Sequence, residues 1–170
     1  MTASVTAIRP ATADDIPALH ALVERAYRGN TAREGWTHEA DLIVGDRTSQ
    51  DELRATLADA DNVVLVAEQG GNLIGTVTIT RISPDRCYLG MLGVDPQRQA
   101  GGIGRHLVGA AEDAARRTFA AKVMEMTVIT ERSELIDWYL RLGYAPTGET
   151  RMLEGDDGQL HPMQVLIRAL

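Results

Sequence analysis

The spacing of apolar positions changes repeatedly along this chain, and each change marks an element. Val5 to Arg9 reads as a short strand ending at Pro10. From Thr12, a candidate cap, apolar residues recur at helical spacing through Ile16, Leu19, Leu22, Val23 and Tyr27, until Gly29-Asn30 ends the run. A polar stretch centred on Gly35-Trp36-Thr37-His38-Glu39 follows. There Thr37 predicts the cap of a short helix toward Val44, and Ser49 the cap of a second reaching about Ala60.

The period then shortens. Asn62 to Glu68 carries the β-branched run Val63-Val64-Leu65-Val66, Gln69-Gly70-Gly71-Asn72 is a hairpin turn, and Leu73 to Ile82 is the partner strand. Ser83-Pro84-Asp85 turns into a strand from Cys87 to Val94. Ile103, Leu107, Val108, Ala111 and Ala115 then mark a helix to about Thr118, and Lys122 to Ile129 another strand. Ser133 is placed to cap a helix bearing Leu135, Trp138, Tyr139 and Leu142, with Gly143 at its C′ position. Strands near Thr147 to Leu153 and Met163 to Ala169 close the chain around the polar turn 154–158. Consecutive hairpins predict antiparallel pairing, while the segment from Tyr88 to Ile129 predicts a right-handed parallel crossover. The expected fold is a mixed α/β (α+β) sheet of about seven, mostly antiparallel, strands with helices on both faces. We expect one domain over residues 1–170.

Composition narrows the function. A net charge of −7 argues against nucleic-acid or anionic-membrane binding, which need a basic face. The single Cys87 excludes an internal disulfide, and the histidines and carboxylates show no metal-ligand spacing, so no metal is expected. Neither a signal-peptide pattern nor a bilayer-length apolar run is present, so a cytoplasmic location is the expectation.

The densest chemical signal lies between the strand ending at Val94 and the helix opening at Ile103. Asp95-Pro96 stops the strand, and Gly101-Gly102-Ile103-Gly104 opens the helix. Bare backbone amides and the positive end of a helix dipole there suit an anion, above all a phosphate. A nucleoside-triphosphate loop would need a lysine after the glycines, and none follows. A dinucleotide fingerprint would need a third glycine where Leu107 stands, and would open its domain rather than follow three antiparallel strands. The remaining pattern, Gln/Arg-x-x-Gly-x-Gly/Ala, is met in full by Gln99-Ala100-Gly101-Gly102-Ile103-Gly104.

With Leu92-Gly93-Val94-Asp95-Pro96 ahead and Trp138-Tyr139-Leu140-Arg141-Leu142-Gly143-Tyr144 behind, the chain resembles the GNAT family of acetyl-CoA-dependent N-acetyltransferases over nearly its whole length. That resemblance implies acetyl-CoA as cosubstrate and direct attack by a primary amine in a ternary complex. It implies that the segment Gln99, Ala100, Gly101, Gly102, Ile103, Gly104 and Arg105 cradles the coenzyme A pyrophosphate, with Arg98 a further candidate. It also puts Leu92, Gly93 and Val94 along the pantetheine arm, with an amide near Leu92 beside the thioester oxygen. Gly90 and Gly93 within that strand suggest a bulge or splay.

Tyr139 matches the family position that returns a proton to the leaving thiolate; its helical spacing with Leu135, Trp138 and Leu142 equally describes a core residue. Relatives carry Asn where this chain has Arg132, and some carry a glutamate base where it has Thr127. Glu125, two residues earlier on the same strand face, is the candidate base, or else a plain strand carboxylate. For the acceptor, Trp36 is a candidate wall and Glu39 a candidate ammonium partner, within a cluster that includes His38, Asp46 and Arg47; a packed tryptophan beside a solvated helix start is the alternative. His161 is a candidate for the same pocket, and Cys87 is expected to pack. A small-molecule amine or a peptide N-terminus both fit as acceptor, and a homodimer through an exposed strand edge is conceivable. The rival of another class is a non-catalytic acyl-CoA-binding regulatory module.

Overall fold

A computed structural model of the chain describes residues 6–27, 48–155 and 157–170. Along these run β1 (Ala7–Pro10), a one-turn 3₁₀ helix (Ala13–Asp15), α1 (Ile16–Tyr27), α2 (Gln50–Ala58), β2 (Asn62–Gln69), β3 (Asn72–Ser83) and β4 (Arg86–Val94). A 3₁₀ segment (Pro96–Gly101) leads into α3 (Ile103–Phe119), followed by β5 (Val123–Ile129), α4 (Ser133–Arg141), β6 (Ala145–Glu154) and β7 (Leu160–Ala169). The strands form one sheet in the order β1-β2-β3-β4-β5-β7-β6, antiparallel except where β5 runs parallel to β4.

Local chemistry accounts for the boundaries. Gly70 and Gly71 both take positive φ, +58° and +81°, as a two-residue hairpin turn between right-twisted strands requires. Ser49 Oγ accepts from the Glu52 amide at 3.1 Å and starts α2. At the first helix, the Asp15 carboxylate accepts from the Thr12 amide at 2.7 Å and pairs with Arg9 at 2.8 Å, and a 3₁₀ turn intervenes before α1. Ser133 is not a cap: it is the first residue of α4, and Arg132 occupies the N-cap position. Gly143, at φ +100°, ends that helix as its spacing predicts.

Alternation along β2 divides the interior in two. Leu65 and Ala67 face α3, in a core with Leu107, Val108, Ala111, Met124 and Met126. Val64 and Val66 face the opposite layer, with Ile16, Leu19, Leu22 and Val23 of α1 and Leu53 of α2. The helices thus cover both faces. Cys87 packs in the first core with no exposed surface, and burial raises its thiol pKa.

The feature that positions the site is where β4 and β5 part. They pair over three residues only, Arg86 with Val123, Cys87 with Met124 and Tyr88 with Glu125. Beyond Tyr88, β3 is the only strand partner of β4 among the described residues, and that ladder carries a bulge: Thr78 faces Gly90, but Thr76 faces Gly93. The irregularity falls between the two glycines that predicted it. Its left-handed residue, however, is Met91, at φ +50°.

Candidate active site

The gap between β4 and β5 opens into a cleft of about 700 Å³, within the range that holds cofactors. Leu92, Gly93 and Val94 form one wall, the start of α3 (Gly102, Gly104 and Arg105) a second, and α4 a third through Leu135, Trp138 and Tyr139. Seven expected site residues, Leu92, Gly93, Val94, Gly102, Gly104, Arg105 and Tyr139, therefore meet in one place, and Arg132 joins them.

The helix start has the chemistry of an anion site. Asp95 ends β4 and its side chain accepts from the Gln97 amide at 3.0 Å, while Pro96 begins the 3₁₀ segment. Gly102 then takes φ +73°, a left-handed value that favours glycine, and delivers the chain into α3. The His106 amide donates to Gly102 O at 3.1 Å; the amides of residues 103–105 belong to the first turn, which has no intrahelical acceptors. Gly104 lies where a Cβ would meet the Trp138 ring at 3.5 Å, so α3 and α4 close on each other at the cleft. Three arginines, Arg105, Arg132 and Arg141, are the charged residues of its lining, and among the described residues no carboxylate lines it. The donor set fits a polyphosphate: first-turn amides, a helix dipole and guanidinium groups. Arg98, by contrast, is bonded to Gln69 on the hairpin turn at 2.6 Å.

Tyr139 is 5% exposed, yet lines the cleft. Burial, first, and the neighbouring Tyr27 and Tyr88 push its phenol pKa far above the ordinary value, against the opposing charge of Arg132. Core packing and cleft exposure therefore coexist: the ring meets Trp138 at 5.0 Å and Tyr144 at 5.9 Å, both edge-on.

The structure places Glu125 elsewhere. Its carboxylate is buried beneath two guanidinium groups, with Arg86 at 3.0 Å on one oxygen and Arg151 at 3.0 Å on the other, and it does not line the cleft. Thr127 bonds the Tyr88 hydroxyl on the same strand face. His161 is buried at the start of β7, 3.9 Å from Glu131, and is likewise absent from the lining. Trp36, His38, Glu39, Asp46 and Arg47, and the side chains of Gln99 and Ala100, lie outside what the structure describes.

Ala26 and Tyr27, at the end of α1, complete the cleft wall and were not among the expected site residues. The Tyr27 hydroxyl donates to Leu92 O, at the bulge. Its sequence signal was hidden because Tyr27 also satisfies the apolar period of α1. Trp138 and Arg141, read only as part of a motif, line the cleft as well.

Splayed strand, amide-rich helix start and buried phenol meet at one cleft. The Acetyltransferase (GNAT) family model matches residues 18–144, which is most of the chain. The chain belongs to the GNAT family of acetyltransferases. Among curated proteins it is similar to the N-alpha-acetyltransferase RimI of Mycobacterium tuberculosis, 32% identical over 117 residues, covering 66% of this chain and 72% of that protein. Among solved structures it is similar to YncA of Salmonella typhimurium, described with its cofactor acetyl-CoA (TM-score 0.74, 22% identity, 98% and 95% of the two chains). It is similar in fold to the spermidine N-acetyltransferase of Vibrio cholerae, described with CoA and spermine (TM-score 0.72, 19% identity, 96% and 97% covered). Membership brings an acetyl-CoA-type cofactor and acetyl transfer as the general activity. Among the described residues no cluster of histidine, cysteine and carboxylate side chains would hold a metal, and no helix is long and apolar enough to cross a membrane.

Proposed function

We propose that the chain, acting as one domain, acetylates the α-amino group of a peptide or amino-acid-like acceptor by direct attack on acetyl-CoA. The observation that carries this reading is the convergence of the splayed β4 edge, the amide-rich start of α3 and the Tyr139 phenol on one cleft. Gly102 to Arg105 would hold the pyrophosphate, and Leu92 to Val94 the pantetheine arm. The cosubstrate supplies a thioester, an activated acyl group. Tyr139, kept protonated by burial, gives its proton to sulfur as the carbon–sulfur bond breaks, and recovers one from the acylated nitrogen.

The choice of acceptor follows from protonation. No carboxylate among the described residues lines the cleft, and Glu125 is held by two arginines, so the reading assigns no side-chain base. Attack then needs an amine that is already neutral. An α-amine with pKa of about 8 is substantially neutral at pH 8, whereas a lysine-type amine near 10.4 is neutral in well under about 1% of molecules. The name of the Mycobacterium tuberculosis relative, an N-alpha-acetyltransferase, supports the same class.

The test is a thiol-release assay at pH 8. Its panel sets peptides with free N-termini against the same peptides N-acetylated but carrying lysine, and against polyamines. Turnover confined to free α-amines is the expected result. Preference for lysine or polyamines would overturn the acceptor class. Binding of acetyl-CoA with no thiol released from any amine would favour the binding module.

A further inference from the structure

The bulge in β4 is a strained piece of backbone, and what holds it comes from another element. Met91 is a non-glycine residue at φ +50°, a left-handed conformation that persists only where its surroundings over-determine it. β3 pairs with Gly90 on one side and Gly93 on the other, and the parallel ladder to β5 has ended at Tyr88. The last residue of α1 supplies the missing restraint. The Tyr27 hydroxyl donates to Leu92 O, and the Tyr27 ring lies 3.3 Å from where a Gly93 Cβ would stand. Ala26 Cβ lies 3.1 Å from the same point, so a Cβ there would push α1 back by a few tenths of an ångström. One peptide plane, Leu92–Gly93, is therefore gripped by a hydrogen bond on its carbonyl and by packing on its Cα.

We infer that Tyr27 is a positioning residue that fixes the Leu92–Gly93 peptide, and with it the bulge amides that receive the thioester carbonyl. This rests on the acetyl-CoA reading of the cleft. The Gly93 amide faces β3, so a donor on Leu92 O, on the opposite edge of the same planar peptide, holds it from both sides and limits how far the adjoining Met91–Leu92 bulge can turn. Preorganised amides stabilise a developing oxyanion because they do not have to reorganise during reaction. Without the Tyr27 hydroxyl, Leu92 O loses its partner and the strained bulge gains freedom to relax.

The test uses acetyl-CoA labelled with ¹³C at the thioester carbonyl, bound to wild type, Tyr27→Phe and Gly93→Ala without acceptor. In wild type the bound carbonyl is expected to absorb below its free frequency. In Tyr27→Phe, which keeps the ring, the band should move back toward the free value while the CoA Kd stays within about twofold. Its kcat should fall about tenfold with KM for acetyl-CoA unchanged. Gly93→Ala, which forces Tyr27 and Ala26 away, should move the band in the same direction and guards against failure of the first variant to fold. A band unchanged in both variants overturns the inference whatever happens to the rate. Wild type that does not bind acetyl-CoA at all overturns the cofactor reading first, and this inference with it.

Discussion

Tyr144 meets Tyr139 edge-on, with ring centres 5.9 Å apart at 74°, and its hydroxyl donates to the Glu112 carboxylate at 3.0 Å. Arg168 donates to both Glu112 oxygens at 2.9 Å. Residues of α3 and β7, and the turn after α4, thus tie together behind the phenol that faces the cleft. Tyr144→Phe removes one hydrogen bond to a buried carboxylate and is expected to cost about 1–3 kcal/mol. Glu112→Ala strips both partners and should cost about 3–5 kcal/mol. Urea unfolding checks both values.

The same two tyrosines give stability an alkaline edge. Burial, chiefly, raises both phenols well above their unfolded value near 10, with Glu112 adding to the rise at Tyr144. Above pH 10 the unfolded chain gives up protons that the folded chain keeps, so stability falls as pH rises. The slope should approach about 2.7 kcal/mol per pH unit, from two protons at 1.36 each, and should halve in Tyr144→Phe.

At the acid end the sign reverses. Asp15 is lowered from 3.8 to about 2, first by its bond from Arg9. Its contribution is present above pH 4 and is lost as pH falls through 2, because the unfolded carboxylate binds its proton first. Asp15→Asn should flatten the stability profile between pH 4 and 2 relative to wild type.

Glu125 separates a structural carboxylate from a catalytic one. Replacing it with Gln leaves Arg86 and Arg151, both partly exposed, facing a neutral group, and should cost about 1–2 kcal/mol of stability. On the present account, kcat of the folded variant stays within a few-fold of wild type and its pH–rate profile keeps the same shape. Loss of an acidic limb from that profile would restore Glu125 as the base.

Two glycines, one inside α3 and one at its N-cap, should respond in opposite ways. Gly109 lies inside the helix with nothing within 4 Å of an added Cβ, so Gly109→Ala should stabilise the protein by about 0.5–1 kcal/mol. Gly102 has equal space, but its φ of +73° makes Gly102→Ala strained. That variant should lose about 1 kcal/mol and bind CoA at least tenfold more weakly, as thermal melts and calorimetric titration would show.

Element order and the parallel crossover were legible because turn residues punctuate the chain clearly: Gly70-Gly71, Ser83-Pro84 and Asp95-Pro96 each stand where one period ends. The glycine loop was legible for the same reason. What period could not convey is which side chains cross between layers. Glu125 stands on the strand face that suggested a base, yet its neutralisation comes from Arg86 on β4 and from Arg151, twenty-six residues later on β6. Tyr27 looked like one more apolar position of α1, because a phenol satisfies a hydrophobic pattern while its hydroxyl does something else. Ser133 reads as the cap of α4, but the cap position belongs to Arg132, which lines the cleft. The partners of Glu125 and Tyr27 lie on elements distant in sequence, which local spacing does not encode.

The central claim is that the cleft binds acetyl-CoA and that Tyr139 protonates the leaving sulfur. Steady-state kinetics and CoA titration of Tyr139→Phe test both halves together. The account expects kcat to fall by about 10²-fold or more, in the range of general acid catalysis, with the CoA Kd within about twofold of wild type. Unchanged turnover would contradict the role of Tyr139, and loss of CoA binding alongside kcat would show that its hydroxyl serves to hold the cofactor rather than to protonate the sulfur.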